Sequence, residues 1–157
     1  SSFSKTLGIT GWRIGYLHST NKNILKICSF LQMHINTNTS TYLQKAISDF
    51  FDIGDKFTKK FKEDLRNRIE YMKNEFSRYN FRIIYPDGGF FIFLNISNLN
   101  ISSDKFAYNL LNEKNIAVTP GVVFGKKWDK YVRICFAVSQ KDFIAGINGL
   151  KEFFNEI

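Results

Sequence analysis

The chain opens with the stretch Ser1-Ser2-Phe3-Ser4-Lys5-Thr6-Leu7-Gly8-Ile9-Thr10-Gly11-Trp12-Arg13-Ile14-Gly15-Tyr16, on which the interpretation of the fold depends. It contains one lysine among small hydroxyl residues, followed by glycines on both sides of one arginine. The hydroxyls of Ser2 and Ser4 can bind a phosphate, and the guanidinium of Arg13 can do so through paired, charge-assisted hydrogen bonds. Beside such an anion, the amine of Lys5 is a nucleophile only in its uncharged form.

The same stretch has a simpler interpretation, in which the lysine is a solvated charge near a glycine-rich turn. Its spacing is not that of a P-loop or a dinucleotide-binding fingerprint. However, Ser-Phe-Ser-Lys followed by Gly-Ile-Thr-Gly-Trp-Arg-Ile-Gly-Tyr resembles the attachment signature for pyridoxal phosphate (PLP) in class I aminotransferases. This resemblance favours a cofactor site over a surface charge.

The resemblance implies a role for four residues of the opening stretch. Lys5 would be the catalytic residue that forms a Schiff base with PLP, and Ser2 and Arg13 would hold the phosphate, with Ser4 as a further cofactor-binding hydroxyl. Members of the family are longer, and their lysine lies past the midpoint. We therefore expect this chain to correspond to the C-terminal portion of such an enzyme, without the half that supplies the ring that stacks on PLP.

The second signal is Arg133, in the run Tyr131-Val132-Arg133-Ile134-Cys135-Phe136-Ala137. The run predicts a strand over 131–137, and a guanidinium in such an apolar strand is costly unless it meets an anion or a hydrogen-bonded partner. A core carboxylate could be that partner. Val-Arg-Ile-x-Phe-Ala also resembles the family's substrate strand, and the resemblance implies that Arg133 binds the α-carboxylate of the substrate.

Composition excludes several other classes of function. The net charge of +8 is spread along the 157 residues, and the densest basic run, 56–68, includes acidic residues, so we expect no nucleic-acid partner. No apolar run approaches the roughly 20 residues of a membrane helix, and no signal peptide opens the chain, which makes the cytoplasm the default location. Cys28 and Cys135 form no metal-binding pattern, and His18 and His34 are isolated, so we expect no metal.

The first part of the chain reads as a strand and two helices. A short buried strand is predicted over 12–17, and a helix begins near Ile24. The polar segment 32–41 then predicts a loop. This loop could be an ordinary connection between helices. It also resembles a segment that lies at the dimer interface in the family, which implies a homodimer in the full-length protein.

A second helix is predicted from 41 to about 50, and Gly54 is expected to break the helical pattern. A longer helix follows over 55–78, because apolar residues recur at helical spacing. In the family such a helix links the large cofactor domain to a small C-terminal domain. We therefore predict a domain boundary inside it, with the end of the large PLP-binding domain over 1–74 and the small domain over 75–157.

The second part predicts a hairpin of two strands over 81–85 and 90–95, separated by Pro86-Asp87-Gly88-Gly89. The sequence Pro-Asp-Gly-Gly-Phe-Phe resembles the family's hairpin, which closes over the substrate. An aromatic residue here could face the site, but we favour a core role for Phe90 or Phe91.

Further elements complete the small domain. Ser103 is predicted to cap a helix, and a short strand follows over 116–118. The turn-rich Thr119-Pro120-Gly121-Val122-Val123-Phe124-Gly125 resembles the family's Pro-Gly-x-x-Phe-Gly link. Ser139 and Gln140 begin a terminal helix.

These features predict an α/β fold, namely the C-terminal part of a PLP-dependent transferase large domain followed by a small α+β domain. The function implied by the resemblance is transfer of an amino group between an L-amino acid and a 2-oxo acid through PLP on Lys5, with aspartate-type or broad specificity. A PLP-dependent β-lyase of the same fold is an alternative. A catalytically incomplete fragment that acts only as a structural or binding module is another.

Overall fold

The computed structural model describes residues 1–156. The chain divides into two compact units, Ser1–Lys62 and a second unit that begins at Glu63. The domain boundary expected from the sequence, between residues 74 and 75, stays a prediction. No helix within residues 1–156 is both long and apolar enough to span a bilayer.

The first unit is helical. It contains α1 (Phe3–Thr6), a 3₁₀ turn (Thr10–Trp12), α2 (Lys22–Asn36), α3 (Thr41–Asp49) and the first part of α4 (Phe51–Phe76). The Asn21 side chain caps α2 by accepting hydrogen bonds from the amides of Asn23 and Ile24. Thr37 ends this helix with a φ of 59°. The loop predicted over 32–41 is therefore wrong in its first half, because α2 continues through Gln32 and Met33, which are good helix formers, and ends only at Asn36.

The strand predicted over 12–17 is also wrong. Only one isolated antiparallel bridge forms here, between Ser2 and Gly15. Ile14 is buried, whereas Tyr16 and Leu17 are exposed. A strand requires a neighbour along its length, and within the described first unit the only partner is the short segment around Ser2.

Gly54 does not break the helix, contrary to the sequence prediction. Helix α4 runs through it without interruption. A Cβ at this position would lie 2.8 Å from Cδ2 of Leu7, so the glycine makes room for that side chain. The cost of glycine inside a helix, about 1 kcal/mol, is offset by packing of α1 against α4.

The second unit is built on a four-stranded antiparallel sheet with the order β1-β2-β4-β3. The strands are β1 (Ile83–Ile84), β2 (Phe91–Asn95), β3 (Thr119–Pro120) and β4 (Tyr131–Cys135). The predicted hairpin is confirmed as β1 and β2, with a shorter first strand. The strand expected over 116–118 is wrong, because the residues that pair with β4 are those of β3.

Two helices complete this unit, α5 (Ser103–Lys114) and α6 (Gln140–Glu156). The cap of α5 is Ser102, not Ser103, since the Ser102 hydroxyl accepts from the amide of Lys105. The predicted start of α6 is confirmed by Ser139, whose hydroxyl accepts from the amide of Asp142. The core lies between the sheet, these helices and the end of α4; its most buried large side chains are Met72, Ile92, Leu94, Ile96, Phe106, Leu110, Val132, Phe136, Leu150 and Phe153.

Candidate functional site

The opening stretch folds back on itself as a tight pair of antiparallel segments. The amide of Phe3 donates to the carbonyl of Ile14 at 3.2 Å, and the amide of Tyr16 donates to the carbonyl of Ser1 at 2.8 Å. A Cβ at Gly15 would lie 2.5 Å from the Ser1 carbonyl oxygen, which is closer than real Cβ contacts. Only glycine allows this approach, so Gly15 fixes the place where the arginine segment meets the lysine segment.

Ser2 and Ser4 are linked at the start of α1. The Ser2 hydroxyl accepts from the Ser4 amide at 3.1 Å and donates to the Ser4 hydroxyl at 3.0 Å. Ser4 is buried, whereas Lys5, the next residue of α1, is exposed. The two hydroxyls and the lysine therefore share a single helical turn.

Helix α1 is anchored to α4 through Thr58, which is buried. The Thr58 hydroxyl lies 2.9 Å from the carbonyl oxygen of Thr6 and 2.8 Å from that of Gly54, and donates its proton to one of them at a time. Leu7 packs in the space left by Gly54. These contacts hold the short helix that carries Lys5.

Arg13 has an unusual backbone conformation for its residue type. Its φ of 53° and ψ of 46° lie in the left-handed region, which costs a non-glycine residue on the order of 1–2 kcal/mol. Its exposed guanidinium donates from Nη1 to the carbonyl of Thr10 at 3.3 Å. The Thr10 hydroxyl in turn donates to the carbonyl of Ser4 at 3.3 Å. Thr10 thus connects the arginine to the serine turn.

The chemistry of these donors fits the phosphate of PLP. A phosphate is bound by hydrogen-bond donors, and the hydroxyls of Ser2 and Ser4 and the guanidinium of Arg13 are such donors. Lys5 lies on the same helical turn as the two serines. Arg13 also lines a cavity of about 640 Å³ that extends along α2, but Ser2, Ser4 and Lys5 do not line this cavity. Among residues 1–156, no group of three or more His, Cys, Asp or Glu side chains could hold a metal ion.

Arg133 lies on β4 in the second unit, opposite Phe93 of β2 and Thr119 of β3. Its Nη2 donates to the Thr119 hydroxyl at 3.2 Å. Its Nε is buried and has no hydrogen-bond partner among the described residues, and no carboxylate in residues 1–156 forms an ion pair with this side chain. A half-buried guanidinium with an unused buried donor is suited to bind an external anion.

Two aromatic rings contact the same guanidinium. Its Cζ lies 4.3 Å from the ring centroid of Phe91 and 5.0 Å from that of Phe124. Cation–π contacts at such distances contribute about 0.5–1 kcal/mol when exposed and about 2 kcal/mol when desolvated. Phe91 lies on β2, and Phe124 ends the 3₁₀ turn Gly121–Phe124.

A hydrogen-bond network holds the turn that carries Phe124. The fully buried Ser103 donates to Oδ1 of Asp129 from its amide at 3.0 Å and from its hydroxyl at 2.9 Å. The amide of Val122 donates to the same hydroxyl at 3.1 Å. The Ser103 amide, and next its hydroxyl, lower the pKa of Asp129. A Cβ at Gly121 would lie 2.1 Å from the Trp128 carbonyl oxygen, so the two ends of this segment are in close contact.

The end of β4 is held by Arg68 from α4. Its Nη1 donates to the carbonyls of Phe136 at 2.7 Å and Val138 at 2.8 Å, and its Nη2 donates to the side chain of Gln140 at 3.3 Å. The guanidinium also lies 5.0 Å from the ring centroid of Phe143. The segment between the strand of Arg133 and α6 is therefore tied to α4.

The structure places Ser2, Ser4 and Lys5 on one helical turn of the first unit, with Arg13 linked to that turn through Thr10, and it places Arg133 in the second unit. Sequence reasoning missed three neighbours of Arg133: Thr119, Phe91 as a guanidinium contact, and Phe124. Each of them lies in a motif that could have indicated a role beside Arg133. Thr119 and Phe124 lie in the turn-rich link, and Phe91 follows the Gly-Gly turn.

The chain is similar to known proteins in both sequence and fold. The family model described as "Aminotransferase class I and II" matches residues 1–147. The chain is 33% identical to a (5-formylfuran-3-yl)methyl phosphate transaminase of Methanocaldococcus jannaschii, over 99% of this chain and 41% of that protein. It is 28% identical to an aspartate aminotransferase of Pyrococcus horikoshii, over 97% of this chain and 39% of that protein.

A solved structure supports the same relationship. The crystal structure of an aromatic aminotransferase from Pyrococcus horikoshii superposes with a TM-score of 0.87 at 27% identity, over 99% of this chain and 42% of the other. The chain thus spans about two fifths of the length of the curated relatives that it matches.

Proposed function

Because the chain belongs to the class I and II aminotransferase family, we propose that it provides the lysine, phosphate-binding and carboxylate-binding groups of an amino-group transfer between an L-amino acid and a 2-oxo acid. Class I aminotransferases depend on PLP. When bound, PLP supplies an electron sink for the carbanion that forms at the substrate Cα. The remaining chemistry falls to protein groups that bind, orient and move protons.

The main support for this proposal is that the guanidinium of Arg133 has no anionic partner within residues 1–156. This guanidinium has a buried Nε without a partner and forms no ion pair with a carboxylate of residues 1–156. The carboxylate common to amino acids and 2-oxo acids has the planar shape and charge that a guanidinium binds through two parallel hydrogen bonds. Such a contact orients both substrates in the same way, which lowers the entropic part of the barrier.

Lys5 is the proposed attachment residue and proton carrier. Its amine would hold PLP between turnovers, and once released it would take the proton from the substrate Cα and return it, as general base and then general acid. Ser2, Ser4 and Arg13 would hold the phosphate, which keeps the cofactor anchored during this exchange. The contact of Thr58 with α1 fixes the helix on which the amine is carried.

The substrate range is proposed to be aspartate-type or broad. The relatives named aspartate aminotransferase support the first, and a relative named aromatic-amino-acid aminotransferase supports the second. We further propose that the full-length protein is a homodimer, with the segment that begins at residue 32 at its interface.

Reduction with borohydride tests the role of Lys5. When the full-length protein is incubated with PLP, reduced and digested, we expect a pyridoxyl group on the peptide that contains Lys5. Lys59, which is exposed and paired with Asp55, is the matched surface control, and Lys5→Arg should remove the specific label. If Lys5 of the full-length protein is not labelled, or is labelled no more than Lys59, the cofactor role of Lys5 is wrong. If only the 157-residue chain fails to be labelled, a catalytically incomplete fragment that acts as a structural or binding module is favoured.

Substitution of Arg133 tests the carboxylate role in the full-length enzyme. Truncating one member of a desolvated charge pair costs about 2–5 kcal/mol, so Arg133→Ala should raise KM for both the amino acid and the 2-oxo acid by at least about thirtyfold. Arg66→Ala, at an exposed position of α4, should leave both constants unchanged. Equal KM values in the Arg133→Ala variant and the wild type would contradict this role.

A further inference from the structure

The guanidinium of Arg133 is held from several directions by groups that carry no negative charge. The ring of Phe91 lies 4.3 Å from Cζ, the ring of Phe124 lies 5.0 Å from it, and the Thr119 hydroxyl accepts from Nη2. An aromatic face attracts a cation without neutralising it. The full positive charge of Arg133 therefore stays available to a ligand, whereas a carboxylate partner within the protein would compete for it.

Burial does not account for the position of these rings. Phe124 is 41% exposed, and Phe91 is half-buried, while the residues of β2 that enter the core are Ile92 and Leu94. The ring of Phe124 also contacts that of Phe93, with centroids 5.7 Å apart. The aromatic residues thus occupy the face of β2 that Arg133 shares, rather than the core face.

Both rings are carried by firmly held backbone. Phe91 pairs with Cys135 in the ladder between β2 and β4. The turn that ends at Phe124 is tied down by the hydrogen bond from the Val122 amide to the buried Ser103 hydroxyl. Rings on rigid supports can fix the direction of a long, flexible side chain, which otherwise loses rotamer entropy when a ligand binds.

We propose that Phe91 and Phe124 are positioning residues that fix the guanidinium of Arg133 for carboxylate binding, with Thr119 holding its Nη2. This inference rests on the proposed function, because it assumes that Arg133 binds a carboxylate. It adds that affinity for the carboxylate depends on the aromatic character of two neighbours that themselves need not touch the ligand.

The test uses the ¹⁵N-labelled full-length protein, with the Nε–Hε resonance of Arg133 assigned by its disappearance in Arg133→Lys. Pyruvate is the probe, and sodium chloride at the same ionic strength is the control for screening. In the wild type, ring currents should displace the Arg133 resonance from its random-coil position, and pyruvate should shift it further in a saturable way.

Matched substitutions separate cation–π attraction from simple packing. Phe124→Leu and Phe91→Leu keep an apolar side chain but remove the aromatic face, and each should weaken pyruvate binding by about tenfold. The Phe124→Tyr and Phe91→Tyr variants keep an aromatic ring and should therefore bind pyruvate with the affinity of the wild type. Val123→Ala, at an exposed neighbour of Phe124, should change neither the resonance nor the affinity. The ¹⁵N spectrum of each variant reports whether it is folded.

The outcomes separate failure of the carboxylate role of Arg133 from failure of the positioning role of the two aromatic rings. If pyruvate leaves the Arg133 resonance of the wild type unmoved, the carboxylate role itself fails, and this inference fails with it. If pyruvate binds to the wild type but the leucine variants bind it within about twofold of the same affinity, the inference alone is overturned. The same holds if the tyrosine variants lose as much affinity as the leucine variants, since packing would then explain the effect.

Discussion

Replacement of Ser103 by alanine is the sharpest test of the network that supports Phe124. The change removes one oxygen from a fully buried position and leaves the backbone of α5 intact. The lost hydroxyl donates to Asp129 at 2.9 Å and accepts from the amide of Val122 at 3.1 Å. Asp129 keeps its second hydrogen bond, from the Ser103 amide, whereas the Val122 amide loses its acceptor.

The lost acceptor of the Val122 amide sets the expected magnitude. Leaving a partly buried donor unpaired costs about 1–3 kcal/mol. We therefore expect the free energy of unfolding of the second unit to fall by about 1–3 kcal/mol. The turn that carries Phe124 should loosen with it.

Urea unfolding followed by tryptophan fluorescence measures this change. The chain has two tryptophans, and Trp12→Phe leaves Trp128 as the single reporter, next to Asp129 in the second unit. Ser97→Ala, at an exposed serine, is the matched control and should change stability by less than about 0.5 kcal/mol. A loss below about 1 kcal/mol for Ser103→Ala would refute the assigned role of the hydroxyl.

The pH dependence of the same variant follows from Asp129. Its pKa in the folded chain is lowered from the ordinary value of 3.8, first by the Ser103 amide and next by the Ser103 hydroxyl. A lowered folded-state pKa stabilises the fold fully above the unfolded pKa, and this contribution is lost as the pH falls through the folded pKa. The stability difference between wild type and Ser103→Ala should therefore narrow below pH 3.8. A difference that stays constant down to acid unfolding would contradict the assignment.

Further predictions concern the two anchors of the candidate site. Gly15→Ala places a Cβ 2.5 Å from a backbone oxygen and should abolish specific pyridoxyl labelling of Lys5, whereas Gly11→Ala, with no atom within 4 Å, should not; equal labelling of both variants would count against the segment pairing. Arg68→Lys removes the guanidinium whose Nη1 reaches two carbonyls and whose Nη2 reaches Gln140, and it should lower the free energy of unfolding by about 1–3 kcal/mol. Arg66→Lys, at an exposed site, should be neutral in the same fluorescence assay, and a similar loss in both variants would exclude a specific role for Arg68.

The sequence predicted the family and much of the fold. The resemblance to class I aminotransferases is confirmed by the family match over residues 1–147, and the expected α/β class is confirmed by the superposition on related structures. Dependence of the family on PLP follows from the same match. The hairpin of β1 and β2 and the start of α6 were also predictable, because their turn and cap residues act locally.

The errors came from contacts between distant parts of the chain. Gly54 was expected to end a helix, but Leu7, far away in the sequence, fills the space beside it. A core role was preferred for Phe90 or Phe91, and it is wrong, since both are only half-buried. The alternation in β2 places Ile92 on the core face, and Phe91 therefore lies on the other face with Arg133. Local pattern indicates which residues share a face, but not which face is covered.

The first unit has a further consequence for the behaviour of the chain in solution. Helices α2 and α3 contain no buried residue along their described lengths, and apolar side chains such as Phe30, Ile35 and Tyr42 are exposed. Local opening of a helix costs little when few apolar contacts are lost. In the chain by itself, amide hydrogens of α2 and α3 should therefore exchange with deuterium far faster than those of α5 and α6, which divides one polypeptide into a labile and a protected part.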